Sequence, residues 1–250
     1  MVADSYRQTV HWAVHKQACK SPTESGTSTE GPFVLLLSLS DPDMLARICG
    51  HFISALRSKV RIIQALNARE ALQHLADTNL KGVVVADEGI VEGENSVVLS
   101  SLIEWVNAGG IAVVGCLFSN FISYLEFGPF FKKWGLPWTL GKYCRETFVL
   151  NPLIRQSSSH SADITTTYSM KAVHLKGVKA DDVLYVLAKD EDEDDDEDWS
   201  VQSNVFPRFA VDLSNVPVAY TQVGDGFLGY VGDVNAEKES TGVILAMLRL

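Results

Sequence analysis

Lys81 to Asn120 reads KGVVVADEGIVEGENSVVLSSLIEWVNAGGIAVVGCLFSN. An apolar run, GVVVAD, ends in acids. A helical stretch, VVLSSLIEWVNAGG, closes on paired glycines, and a second apolar run, IAVVGC, leads into a small-residue turn. Apolar runs of strand length on either side of a helical repeat predict a βαβ unit with parallel strands. In an open parallel sheet, ligands gather where strands finish and helices begin. Asp87, Glu88 and Cys116, at the two strand ends, are therefore the first candidate site residues.

Upstream, the same alternation continues. PFVLLLSL, around Phe33, is a short apolar run suited to a strand covered on both faces. SDPDMLARICGHFISALR predicts one helix, capped by Ser40 or Asp41 with Pro42 in its first turn. VRIIQAL and AREALQHLAD supply another strand and helix. Four strands alternating with helices imply a mainly parallel sheet with right-handed crossovers.

Downstream of Phe118 the pattern changes to an aromatic-rich stretch. A helix over about Phe118–Phe127 is expected, then breaks at Gly128-Pro129 and Gly135–Trp138 and a compact excursion lined by aromatic side chains. YSMKAVHLKGV and DVLYVLA read as two strands. VPVAYTQVG and FLGYVGD, joined through Asp225-Gly226, read as a β-hairpin, and a last helix is expected from about Ser240.

The chain has 250 residues and a formal charge of −10. Nine of its acids are consecutive, Asp190–Asp198; without them 22 acids face 21 basic residues, a net of −1. The body is almost neutral, which argues against a nucleic-acid partner. The acidic run predicts a solvated surface loop over 189–204 and offers a docking point for a basic partner. Residues 1–20 are expected to form a helix placing His11, His15 and Cys19 on one face, a spacing that could hold a metal or simply decorate a surface. Residues 21–32, rich in Ser, Thr, Gly and Pro, read as a linker, leaving 33–250 as the main domain. The four cysteines form no CxxC pair, no secretory signal is apparent and no apolar run is long enough to span a bilayer. The expectation is a cytoplasmic or nuclear protein with reduced thiols and no membrane partner.

Several segments, taken in order, carry a likeness. VVVADEGI, LIEWVNAGGIAVVG and VPVAYTQVGDGFLGYVGDV resemble the class I glutamine amidotransferase-like superfamily, in particular its ThuA-like branch. FFKKWGLPWTLGKYCRETFVLN and GYVGDVNAEKESTGVILAM are similar to a group of uncharacterised fungal proteins with this fold. The resemblance covers Phe33 to Leu250. It implies an α/β, three-layer flavodoxin-like sandwich with a mainly parallel sheet and a C-terminal antiparallel hairpin. Functions within the superfamily are diverse, so the fold cannot supply one.

In the catalytic branches a Cys on a sharp strand-to-helix turn is activated by a His late in the chain. Cys116 matches the first position. The late segment GYVGDVNAEKES has no histidine, and Leu117-Phe118 follow Cys116 where the amidotransferases have small residues. His160 and His174 remain as possible bases for a hydrolase or amidotransferase. The negative charge at Asp87 and Glu88 opposes a thiolate at Cys116. The sequence therefore favours a non-catalytic or degenerate member that binds a small molecule or a protein, with a ThuA-like sugar-related module as a further alternative. Candidate ligand-binding residues are Asp87, Glu88, Ser119 and Asp233. With Glu237, these acids could hold Mg²⁺ or Ca²⁺, or could be helix caps and turn formers, so no metal is assigned. No Walker loop, GxSxG, HExxH or correctly placed GxGxxG is present, and no cofactor is assigned.

Overall fold

The computed structural model describes residues 31–151, 164–188 and 215–250. The expected helix at 1–20 with His11, His15 and Cys19, nearly all of the linker, His160 and the acidic loop at 189–204 lie outside the described residues. The chain divides at Gly31–Pro32, and Pro32–Leu250 is the second of its two units. The fold below is that of the second.

Its main sheet has six strands. In chain order they are β1 (Phe33–Leu37), β2 (Arg61–Ala65), β3 (Leu80–Val85), β4 (Ile111–Val114), β8 (Val218–Val223) and β9 (Gly226–Val231). Across the sheet the order is β2-β1-β3-β4-β9-β8. All neighbours are parallel except β8 and β9, the hairpin read from Asp225-Gly226. β1 is buried along its whole length, which is why its sequence shows no alternation. Phe33, Leu35 and Leu37 face one apolar cluster, and Val34 and Leu36 face the other.

Helices α3 (Ala68–Leu75), α4 (Ser96–Asn107), α5 (Phe118–Phe121) and α6 (Tyr124–Lys133) contribute to the first cluster. Helices α1 (Pro42–Ile48), α2 (Gly50–Lys59) and α7 (Lys238–Met247) contribute to the second. The architecture is the three-layer α/β sandwich expected from the sequence, with a mainly parallel sheet and a C-terminal antiparallel hairpin. It carries an additional three-stranded antiparallel sheet, ordered β6-β5-β7, formed by β5 (Thr139–Leu150), β6 (Thr167–Lys176) and β7 (Tyr185–Leu187).

Local chemistry accounts for the departures from the sequence reading. The single helix expected after β1 breaks at Cys49, which ends α1 and begins α2. Asp41, not Ser40, caps α1, its carboxylate accepting from the Met44 amide at 2.8 Å. The helix expected over Phe118–Phe127 also divides, because the Ser123 hydroxyl accepts from the Leu125 amide and starts α6 afresh. Gly128-Pro129 does not break the chain; α6 runs through it to Lys133. The amide that Pro129 lacks would have reached the carbonyl of Leu125, a residue 83% exposed and so open to water. Phe127, Phe130, Phe131 and Trp134 are buried on the other side and hold the helix down. The expected aromatic excursion ends in a strand, β5, which the sequence reading did not contain.

Candidate functional site

Asp87 and Cys116 lie on the common rim expected for them. Asp87 follows β3, and its neighbour Ala86 accepts a backbone hydrogen bond from Leu117, one residue beyond Cys116. What each side chain does there differs. The crossover of strand order falls between β1 and β3, where an open α/β sheet usually admits a ligand. Asp87, 1% exposed, closes that position. Its carboxylate accepts from the amides of Leu39 (3.0 Å), Ser40 (3.2 Å) and Gly89 (3.1 Å). A Cβ on Gly89 would stand 2.6 Å from the Leu39 carbonyl carbon, so the two loops touch. Glu88, beside it, accepts from the Ser40 hydroxyl at 2.8 Å in an exposed position.

Cys116 sits between β4 and α5 with φ at 55°, a left-handed conformation rare for a residue with a Cβ. Its thiol meets that of Cys49, at the α1–α2 break, within hydrogen-bonding reach. Hydrogen bonding with Cys49 holds the Cys116 thiol well above its ordinary value; burial and the nearby charges of Cys49, Asp233 and Asp87 add to this. The same hydrogen bond draws the Cys49 thiol down, against burial and the Asp233 charge. Cys116, Cys49, Phe52, Asp233 and Ser240 border a cavity of about 20 Å³, with no imidazole in its wall among the described residues.

His174 lies elsewhere, on β6. It is 1% exposed, packs beside the Phe148 ring, and hydrogen-bonds through Nδ1 to the Lys142 carbonyl at 2.8 Å. Asp233 borders the small cavity from the turn after β9. Burial raises its pKa, and hydrogen bonds from the amides of Asn235 (2.8 Å) and Glu237 (2.7 Å), with one from Ser240, oppose that rise. Glu237 pairs with Arg145 at 2.8 Å. Among the described residues, no three His, Cys, Asp or Glu side chains come together as a metal site.

Ser119 belongs to a different place. With Asn120, Ser123, Tyr124, Tyr143 and Val234 it lines a cleft of about 330 Å³, the size of a small-molecule site. Ile122 and Val173 also line it, and among the described residues no charged side chain does. Ser119 donates to the Tyr230 hydroxyl, and Asn120 Nδ2 donates to the Val234 carbonyl at 2.9 Å, fixing the floor. Tyr124 is 76% exposed and Tyr143 56%. The Lys171 ammonium lies 4.9 Å from the centre of the Tyr143 ring. The four residues proposed from sequence as ligand-binding are thus divided among the β1–β3 loops, the thiol cavity and the cleft.

Asn120, Tyr124 and Tyr143 were not singled out from the sequence, and neither was Cys49. Tyr143 comes from β5, absent from the sequence reading, and Cys49 was hidden inside a predicted helix. Only tertiary structure brings Cys49 to Cys116, 67 positions later.

With this geometry in hand, known structures provide a comparison. A putative ThuA-like protein from Bacteroides uniformis superposes with a TM-score of 0.54 at 8% identity, covering 88% of this chain and 91% of that one. The fold is similar to that of ThuA-like proteins. A cytoplasmic protein from Salmonella typhimurium gives a TM-score of 0.50 at 10% identity, with 86% and 92% covered. A β-galactosidase from Bacillus circulans sp. alkalophilus gives 0.54 at 14% identity; the match takes in 87% of this chain but 30% of the enzyme. At such identities the likeness is one of fold. No family model matches the sequence, and no curated protein does. Among the described residues, no helix is long and apolar enough to cross a membrane.

Proposed function

We propose that this chain is a binding protein on an amidotransferase-like fold, without cysteine hydrolase chemistry, and that its ligand occupies the cleft between Ser119 and Tyr143. The observation that carries this reading is the separation of thiol from space. Cys116 opens on about 20 Å³, room for little more than one water, whereas the cleft of about 330 Å³ is lined without it. A nucleophile must reach its substrate and needs a base to take its proton. Cys116 has a thiol raised well above its ordinary value, carboxylates nearby and, among the described residues, no imidazole in its cavity wall.

The cleft's lining supports a small uncharged ligand. Two tyrosine faces offer apolar contact, and Ser and Asn side chains offer hydrogen bonds, with no charged side chain in the lining among the described residues. Neutral sugars and polyols combine an apolar ring face with hydroxyls and are the first class to test. On this reading the protein works in the cytoplasm or nucleus, alongside the fungal proteins its sequence resembles.

The test is a melting-temperature screen of the full chain against neutral mono- and disaccharides. Expected is a concentration-dependent rise that Tyr143→Ala abolishes and Cys116→Ser preserves. A panel without any shift, together with hydrolysis of a p-nitrophenyl ester that disappears in Cys116→Ser, would overturn the proposal in favour of the hydrolase.

A further inference from the structure

Cys49 and Cys116 come from distant parts of the chain and meet at the sheet rim, where both line one small cavity within hydrogen-bonding reach of each other. Each occupies a break in regular structure. Cys49 is the shared terminus of α1 and α2, and Cys116 holds the left-handed corner between β4 and α5. Neither residue lies inside a helix or strand, so closing a disulfide between them need not break one. Cys116 is partly exposed, and both residues border the same small cavity. That cavity, about 20 Å³, admits a molecule the size of water.

We propose that Cys49 and Cys116 form a reversible oxidation site that takes hydrogen peroxide as its oxidant and stores the result as a disulfide. Peroxide is an oxidant small enough for the cavity; glutathione disulfide is not. Cys49 acts first, because it is the N-cap of the ten-residue helix α2, whose dipole favours a thiolate. Its thiolate, having released a proton, attacks one peroxide oxygen. An S–O bond forms, the O–O bond breaks, and the departing hydroxide takes the Cys116 proton and leaves as water. The Cys116 thiolate then attacks the Cys49 sulfur. An S–S bond forms, the S–O bond breaks, and the second hydroxide recovers the proton first released. Two thiols are oxidised by two electrons while one peroxide is reduced to two waters.

The test treats the reduced full-length chain with hydrogen peroxide and reads the intact mass and the peptides of a non-reducing digest. Expected is the loss of two hydrogens, reversed by dithiothreitol, with the Cys49 and Cys116 peptides linked. Glutathione disulfide at equal concentration should form the bridge at least about tenfold more slowly, since it must reach an enclosed thiol. In Cys116→Ser, a dimedone adduct should accumulate on Cys49; in Cys49→Ser, Cys116 should stay unmodified at the same dose. Because the wild-type mass needs no variant, poor folding of either substitution leaves the test intact. Added oxygen on either cysteine without a bridge, a bridge through Cys144 or Cys19 instead, or equal rates with the two oxidants would overturn the proposal.

Discussion

The Ser119 hydroxyl donates to the Tyr230 hydroxyl across 3.1 Å, and Tyr230 donates in turn to the Val173 carbonyl at 2.8 Å. This relay ties α5, β9 and β6 together beneath the cleft. Tyr230→Phe keeps the ring against Phe127 and Phe131 but removes both bonds. A buried hydrogen bond lost with its partners left in place costs about 1–2 kcal/mol. Urea unfolding should show a lower midpoint with an unchanged slope.

Asp87→Asn should be more damaging. Three backbone amides converge on the Asp87 carboxylate, and an amide side chain must present an N–H to at least one of them. The expected loss is about 2–3 kcal/mol. Glu88→Ala, one residue on and only half-buried, should cost far less, about 0.5 kcal/mol. Similar losses for the two in chemical denaturation would mean that Asp87 does not hold the loops.

Asp233 introduces a pH dependence whose sign follows from its raised pKa. In acid, folded and unfolded chains both hold the proton. Between the unfolded value, about 3.9, and the higher native one, only the folded chain holds it, so stability falls as pH rises. Above the native value the loss is complete. Wild-type stability measured relative to Asp233→Asn should therefore decline upward from about pH 4 and then level off. A difference that grows over that range would contradict the assignment.

At neutral pH and short exposure, iodoacetamide should modify Cys144 ahead of Cys116. Burial and Glu146 raise the Cys144 thiol, but Cys116 is raised further and faces a cavity of about 20 Å³. Peptide mapping of the alkylated chain reads the order. Preferential labelling of Cys116 would restore it as a nucleophile.

The β-strands of the main sheet were legible because their apolar runs are short, dense and bounded by caps or glycines. VVVAD before Glu88-Gly89, and Asp225-Gly226 between two β-rich runs, left little choice of element. The small sheet was not legible. β5 is 12 residues long but buries only Phe148 and Leu150, so TLGKYCRETFVL shows neither a buried run nor clean alternation. Its partner β6 begins 17 residues after β5 ends, and β5 takes β7 on its other edge, pairings that local patterning does not encode. The site was half visible for a similar reason. Cys116 and Ser119 stand in a recognisable strand-to-helix turn, while their neighbours Cys49 and Tyr143 arrive through contacts that no spacing announces.

Gly226 tests the hairpin itself. A Cβ there would stand 2.1 Å from the Gly110 carbonyl oxygen and 2.2 Å from that of Val106. Both are backbone atoms, one in the last turn of α4 and one in the turn before β4, and cannot swing aside. Gly226→Ala should cost about 3 kcal/mol or more, seen as a large drop in melting temperature. A neutral substitution would mean that the hairpin sits further from α4.

The two sheets touch through single backbone bridges, Ala172 to Asp233, Leu175 to Val216 and Val183 to Ala219. Side chains of β6 are also divided between both apolar clusters, Val173 and Leu175 in one, Met170 and Ala172 in the other. The smaller sheet is therefore no accessory that trimming could remove. A truncation that kept only the parallel strands would strip a wall from each cluster and leave β8 and β9 without their bridging partners, so this region should melt cooperatively, as a single piece.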